Sequence, residues 1–103
     1  MAKLVVLTDV AKRDIEEITD YIFENWGNAI CNKFLARFEE VCNIISATPR
    51  MYSLIHKKER IRKCILTKQN TIYYRERRYR IEILAIFDTR QNPDKLTQII
   101  RSK

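Results

Sequence analysis

Hydrophobic residues in this chain change their spacing once, near its middle. Leu4-Val5-Val6-Leu7 is a continuous apolar run, which reads as a short strand covered on both faces. Thr8 or Asp9 then caps a helix whose apolar residues Ala11, Ile15, Ile18 and Ile22 fall on one stripe. Acidic residues Asp9, Asp14, Glu16, Glu17 and Asp20 crowd its N-terminal half, where the helix dipole favours negative charge. Trp26-Gly27 ends it: glycine accepts the left-handed conformation of a helix terminus, and the indole can fold back onto the stripe. With Asn28 as N-cap, Ile30, Phe34, Phe38, Val41 and Ile45 form a second stripe, closed by Thr48-Pro49. Two helices joined by about two residues pack as an antiparallel hairpin.

Beyond this point the period drops to two. The spacing predicts a connecting loop over 50–59, then strands over 60–66, 70–76 and 79–87 joined by connections short enough for an antiparallel meander. In the last strand, alternation assigns Tyr79, Ile81, Ile83, Ala85 and Phe87 to one face. In the middle strand it assigns Tyr73 and Arg75 to one face and Tyr74 to the other, with Tyr74 read as a packing residue. Asn92-Pro93 opens a short terminal helix bearing Leu96, Ile99 and Ile100. The expected fold is α+β: a helical hairpin packed on a small, mostly antiparallel four-stranded sheet, order β-α-α-β-β-β, as one domain over 1–103.

Charge changes the picture. Residues 57–80 hold ten basic side chains against two acidic ones, within a chain of net charge +7. Residues 1–47 carry five basic and eight acidic residues. The helices therefore hold the acid and the sheet half holds the base, a distribution suited to a polyanion or an acidic partner. Arg60, Arg62, Lys63, Arg75, Arg77 and Arg90 are the candidate target-binding cations. Alternation places Arg62 and Lys63 on opposite faces.

Conventional catalytic groups are scarce. The single histidine, His56, sits beside Lys57 and Lys58. There is no glycine-rich phosphate loop, no nucleophile elbow and no cluster with metal-ligand spacing. Any RNA cleavage would have to use Arg, Lys and Tyr, with arginines stabilising charge at phosphorus; the candidates for it are Arg62, Arg75, Arg90 and His56. No cofactor is expected. Three widely spaced cysteines without a CxxC pair read as buried thiols of a reducing compartment. Without a signal peptide or an apolar run of membrane-spanning length, the expected location is the cytoplasm, with no membrane partner.

The ordered set Ala11…Asp14-Ile15-Glu16-Glu17-Ile18…Tyr21-Ile22, Trp26-Gly27, Phe34…Phe38-Glu39…Ile44-Ile45…Pro49, Ile61-Arg62-Lys63, Ile72-Tyr73-Tyr74-Arg75 and Ile81-Glu82-Ile83-Leu84…Phe87-Asp88-Thr89-Arg90-Gln91-Asn92-Pro93 resembles the RelE/ParE superfamily of type II toxin–antitoxin toxins. The likeness runs over about residues 3–95 and is strongest to the ParE-like, plasmid-stabilisation branch. It implies a toxin held by a cognate antitoxin, in a heterotetramer or larger complex. It also implies an antitoxin-binding groove between hairpin and sheet, at Ile22, Trp26, Phe34, Phe38 and Tyr73. The ParE-like branch implies DNA gyrase as target. The RelE-like branch implies the ribosome and mRNA, cut by an endonuclease. Thr71 stands where RelE-like nucleases place an arginine, and Thr89-Arg90 where some place His-Tyr, so the ParE-like reading leads.

Overall fold

The computed structural model describes residues 2–88; Arg90 and the terminal helix expected after Asn92-Pro93 lie outside the described residues. The elements run β1 (Leu4–Leu7), α1 (Asp9–Trp26), α2 (Asn28–Ala47), β2 (Ser53–His56), β3 (Ile61–Ile65), β4 (Asn70–Glu76) and β5 (Arg80–Asp88). The sheet has five strands in the order β1-β5-β4-β3-β2. Every pairing is antiparallel except β1 on β5. The strand beyond the expected four is β2. It lies within the stretch read as a loop, because its Ser53-Leu54-Ile55-His56 is too short and too exposed to show alternation.

Thr8 caps α1: its Oγ1 accepts from the backbone N–H of Ala11 at 3.1 Å and donates to the Leu84 carbonyl at 2.9 Å. One hydroxyl thus begins the helix and ties it to β5. Gly27 alone links the two helices, so Asn28 is the first residue of α2 rather than its cap. Gly27 has φ +89°, and a Cβ there would meet nothing within 4 Å. Its glycine is therefore required by backbone conformation and not by crowding.

The hairpin lays Ala11, Ile18, Phe34, Val41 and Ile45 onto Cys64, Leu66, Ile72, Tyr74, Ile81, Ile83 and Ile86 of the sheet half. Tyr74 is fully buried, and its hydroxyl donates to the Pro49 carbonyl at 2.7 Å. Burial, partly offset by Arg62, raises its pKa. Asp14, read from sequence as a helix-dipole acid, is 4% exposed, and its Oδ2 accepts from the backbone N–H of Ile86 at 3.0 Å. That bond falls near a register shift: Tyr73 faces Ala85 while Tyr74 faces Ile83, so Leu84 is the extra residue of a β-bulge. The bulge reverses the alternation. Ile81 and Ile83 join the helix-side core and so does Ile86, whereas Phe87 stands on the outer face against the Tyr73 ring, 4.6 Å between centroids. Strict alternation had put Ile86 opposite Ile83.

Two further expectations change. β1 is an edge strand rather than a covered one, with Leu4 at 71% and Val6 at 37% exposure. Trp26 does not fold onto the buried stripe; it is 57% exposed and leans on Tyr21, ring centroids 5.9 Å apart. The three cysteines are free, and burial pushes the Cys42 thiol up to about 11. No helix among the described residues is long and apolar enough to cross a membrane.

Candidate functional site

The helical hairpin and the β3–β4 end of the sheet leave a groove of about 620 Å³ between them. One wall is helical: Glu17, Ile18, Tyr21, Ile22 and Trp26 come from α1, and Ile30, Lys33, Phe34 and Arg37 from α2. Thr67, Gln69 and Asn70 of the β3–β4 turn, with Asp88 at the end of β5, form the other. The lining follows from the stripes. The members nearest Gly27 project beyond the sheet, so Ile22 is only half-buried and Ile30 is 41% exposed, while Val41 and Ile45 at the covered end are closed off. Arg37 spans to the turn, its Nε donating to the Leu66 carbonyl at 3.3 Å, and pairs with Glu40 at 2.6 Å.

Of the five residues expected in the antitoxin groove, Ile22, Trp26 and Phe34 line this one. Phe38 instead packs against the core. Tyr73 stands on the opposite sheet face against Phe87, and burial raises its pKa. Neither Phe38 nor Tyr73 lines the groove. Phe38 shares the α2 stripe with Phe34 but lies one turn further from Gly27, a difference that periodicity alone does not weigh.

The candidate cations divide by surroundings. Arg62 is opposite Tyr74, and its Nη1 donates to the carbonyls of Tyr52 at 2.6 Å and Arg50 at 3.3 Å. It pins the loop leading into β2. Lys63 is exposed and opposite Tyr73, on the outer face. Arg75 is 7% exposed, with Nε 3.1 Å from Glu82 and Nη1 3.3 Å from Glu59. Arg77 and Arg80 reach the same Glu82 carboxylate at 3.2 and 2.9 Å. Arg60 is exposed in the β2–β3 turn with φ +57°. His56 ends β2 just before that turn, and its Nδ1 accepts from the Glu59 N–H at 3.1 Å. Arg62 and Arg75 thus sit on different faces, each engaged by the fold, and the sheet does not present the candidates as one open cationic surface.

Positive charge gathers instead around the β4–β5 turn. Lys3 and Arg50 converge on Glu76 at 2.7 and 3.0 Å, and the Arg78 guanidinium lies 5.3 Å from the centre of the exposed Tyr79 ring. Hydrogen bonding from Lys3 leads the causes that hold the Glu76 pKa below its usual range, against burial. Sequence reasoning missed Lys3, Arg50 and Arg80 because their grouping is set by strand order. The Glu82–Arg75 contact follows from register, since the two lie directly opposite across β4 and β5.

The model of the family described as "ParE toxin of type II toxin-antitoxin system, parDE" matches residues 5–93. The chain belongs to the ParE toxin family. Among solved structures, this ParE toxin is similar to one titled "Chromosomal ParDE TA system from P. aeruginosa", with TM-score 0.71 and 17% identity. The match covers 84% of this chain and 96% of that one, a likeness of fold. No curated protein matches at a significant level. The ParE model spans all seven elements except the first residue of β1, so both groove walls lie within the matched region.

Proposed function

We propose that this toxin inhibits DNA gyrase by binding it, and that a cognate antitoxin neutralises it by seating a segment in the hairpin–sheet groove. The observation that carries this reading is the family match over residues 5–93. The groove supports the antitoxin half: Ile22, Trp26 and Ile30 give it an apolar floor open to a partner, and the chain's net charge of +7 favours encounter with an acidic protein. Burying Ile22, Trp26 and Ile30 under a partner supplies affinity, and the surrounding charges supply register.

The placement of the cations supports the gyrase half over the nuclease. An RNA-cleaving site needs its arginines and proton carrier to converge on one phosphate. Here Arg62 serves a loop, Arg75 serves Glu82 and Glu59, and His56 serves a turn. Exposed Arg60, Lys63 and Arg77, together with Arg90, remain the proposed target-facing cations, acting by contact with a macromolecular surface.

Induction of the chain without its antitoxin should produce filamentous cells and DNA-damage signalling before protein synthesis falls. Immediate translation arrest with cleaved mRNA would support the nuclease instead. Unimpaired growth would mean that the chain is not toxic.

A further inference from the structure

One polar group in the groove wall has nothing to bind. Asn70 opens β4 and is 5% exposed. Its Oδ1 accepts from Thr67 Oγ1 at 2.8 Å. The same hydroxyl accepts the backbone N–H of Asn70 at 3.1 Å and of Gln69 at 3.2 Å. A hydroxyl that takes two N–H groups still has its own proton to give, and here gives it to the amide oxygen. That fixes the carboxamide with oxygen toward Thr67 and nitrogen away. Asn70 Nδ2 is left buried without an acceptor, the one side-chain atom in that condition among the described residues. Most buried polar groups are paired, and an unpaired one is unfavourable until something pairs it.

Asn70 belongs to the groove described above. We infer that Asn70 is a recognition residue of the groove, whose Nδ2 donates to a neutral carbonyl oxygen on the antitoxin segment. The inference rests on reading the groove as the antitoxin's seat. The surroundings narrow the acceptor. Asp88 is Asn70's neighbour across β4 and β5 and lines the same groove with Lys33 and Arg37, so beside Asn70 an uncharged acceptor meets the least repulsion. Carbonyls inside a helix are already committed to its own N–H groups. The oxygen therefore comes from an extended stretch of main chain or from an Asn or Gln side chain. Nδ2 is closed to water in the unbound toxin, so the segment has to uncover it as it seats. Unbound, the toxin holds the donor covered and unpaired; binding supplies its partner, which favours the bound state.

Titration of purified antitoxin into toxin variants tests this, with the thermal midpoint of each free variant measured in parallel. Asn70→Leu keeps the approximate shape and removes the donor. It should weaken binding by about tenfold or more, while the midpoint reports separately the loss of the Thr67 hydroxyl's bond to Oδ1. Asn70→Asp keeps an oxygen for Thr67 and sets an acceptor against the antitoxin's oxygen, so it should weaken binding further. Ile30→Glu, at the exposed rim, places a charge in the apolar seat and should abolish binding. If Ile30→Glu binds like the parent, the groove is not the seat and both readings fall. If Ile30→Glu fails to bind while Asn70→Leu binds as tightly as the parent, the groove stands and the role of Asn70 is wrong. A lowered midpoint with unchanged affinity in Asn70→Leu would assign Asn70 to the fold alone, and would also overturn the inference.

Discussion

Glu82→Ala is expected to destabilise the protein by about 3 kcal/mol in urea unfolding at neutral pH. The Glu82 side chain is 15% exposed and receives Arg75, Arg77 and Arg80. Burial alone would raise its pKa; hydrogen bonds from Arg80, Arg75 and Arg77 outweigh burial and bring it to about 2. Removing the carboxylate leaves Arg75, whose side chain is 9% exposed, with Glu59 alone. Breaking a buried pair in this way costs far more than losing a surface ion pair. The sign of the pH dependence follows from the lowered value. The contribution is full above the ordinary carboxylate pKa, 4.5 in an unfolded chain, and is lost as pH falls from there toward about 2. Parent and variant should therefore converge in stability on acidification. A variant within about 0.5 kcal/mol of the parent at pH 7 would show that the cluster behaves as a surface network.

Ile45→Ala should cost about 2–5 kcal/mol, through the cavity left beneath the hairpin. Ile45 is 0% exposed and packs in the core with Val41 and Cys64. The same change at Ile30, on the same α2 stripe but 41% exposed, should cost well under that. Periodicity treats the two positions alike. Equal losses at both, measured by urea unfolding, would mean that the hairpin does not overhang the sheet and that the groove is closed in solution.

That contrast shows what the sequence made legible. The 3.6-residue stripes place both helices, and the change to period two places β3, β4 and β5, because each stripe reports one buried face. Position along a stripe is different: whether Ile30 or Ile45 is covered depends on where the sheet ends, which no local pattern records. β2 was hidden because four residues, three of them exposed, carry no alternation. The bulge at Leu84 was hidden because Leu84, Ala85 and Ile86 are all buried, so the switch of faces leaves an unbroken apolar run. At the site, Ile22, Trp26 and Phe34 were expected through the family resemblance, while their apolar spacing alone marks only the buried stripes. Asn70 was not, since its one distinguishing property is an unpaired donor, visible only once Thr67 is in place. The basic stretch was plain in the sequence, but its division between structural ion pairs and exposed cations depends on register. Arg75 reads as a free cation until β5 sets Glu82 beside it.

We propose that this ParE family member acts by binding gyrase. The most direct test is a supercoiling assay with purified gyrase, relaxed plasmid and toxin freed from its antitoxin. The prediction is dose-dependent loss of supercoiling that is restored when antitoxin is added back. Full supercoiling activity at every toxin concentration, with codon-position cleavage of mRNA when the same preparation is added to translating ribosomes, would contradict it.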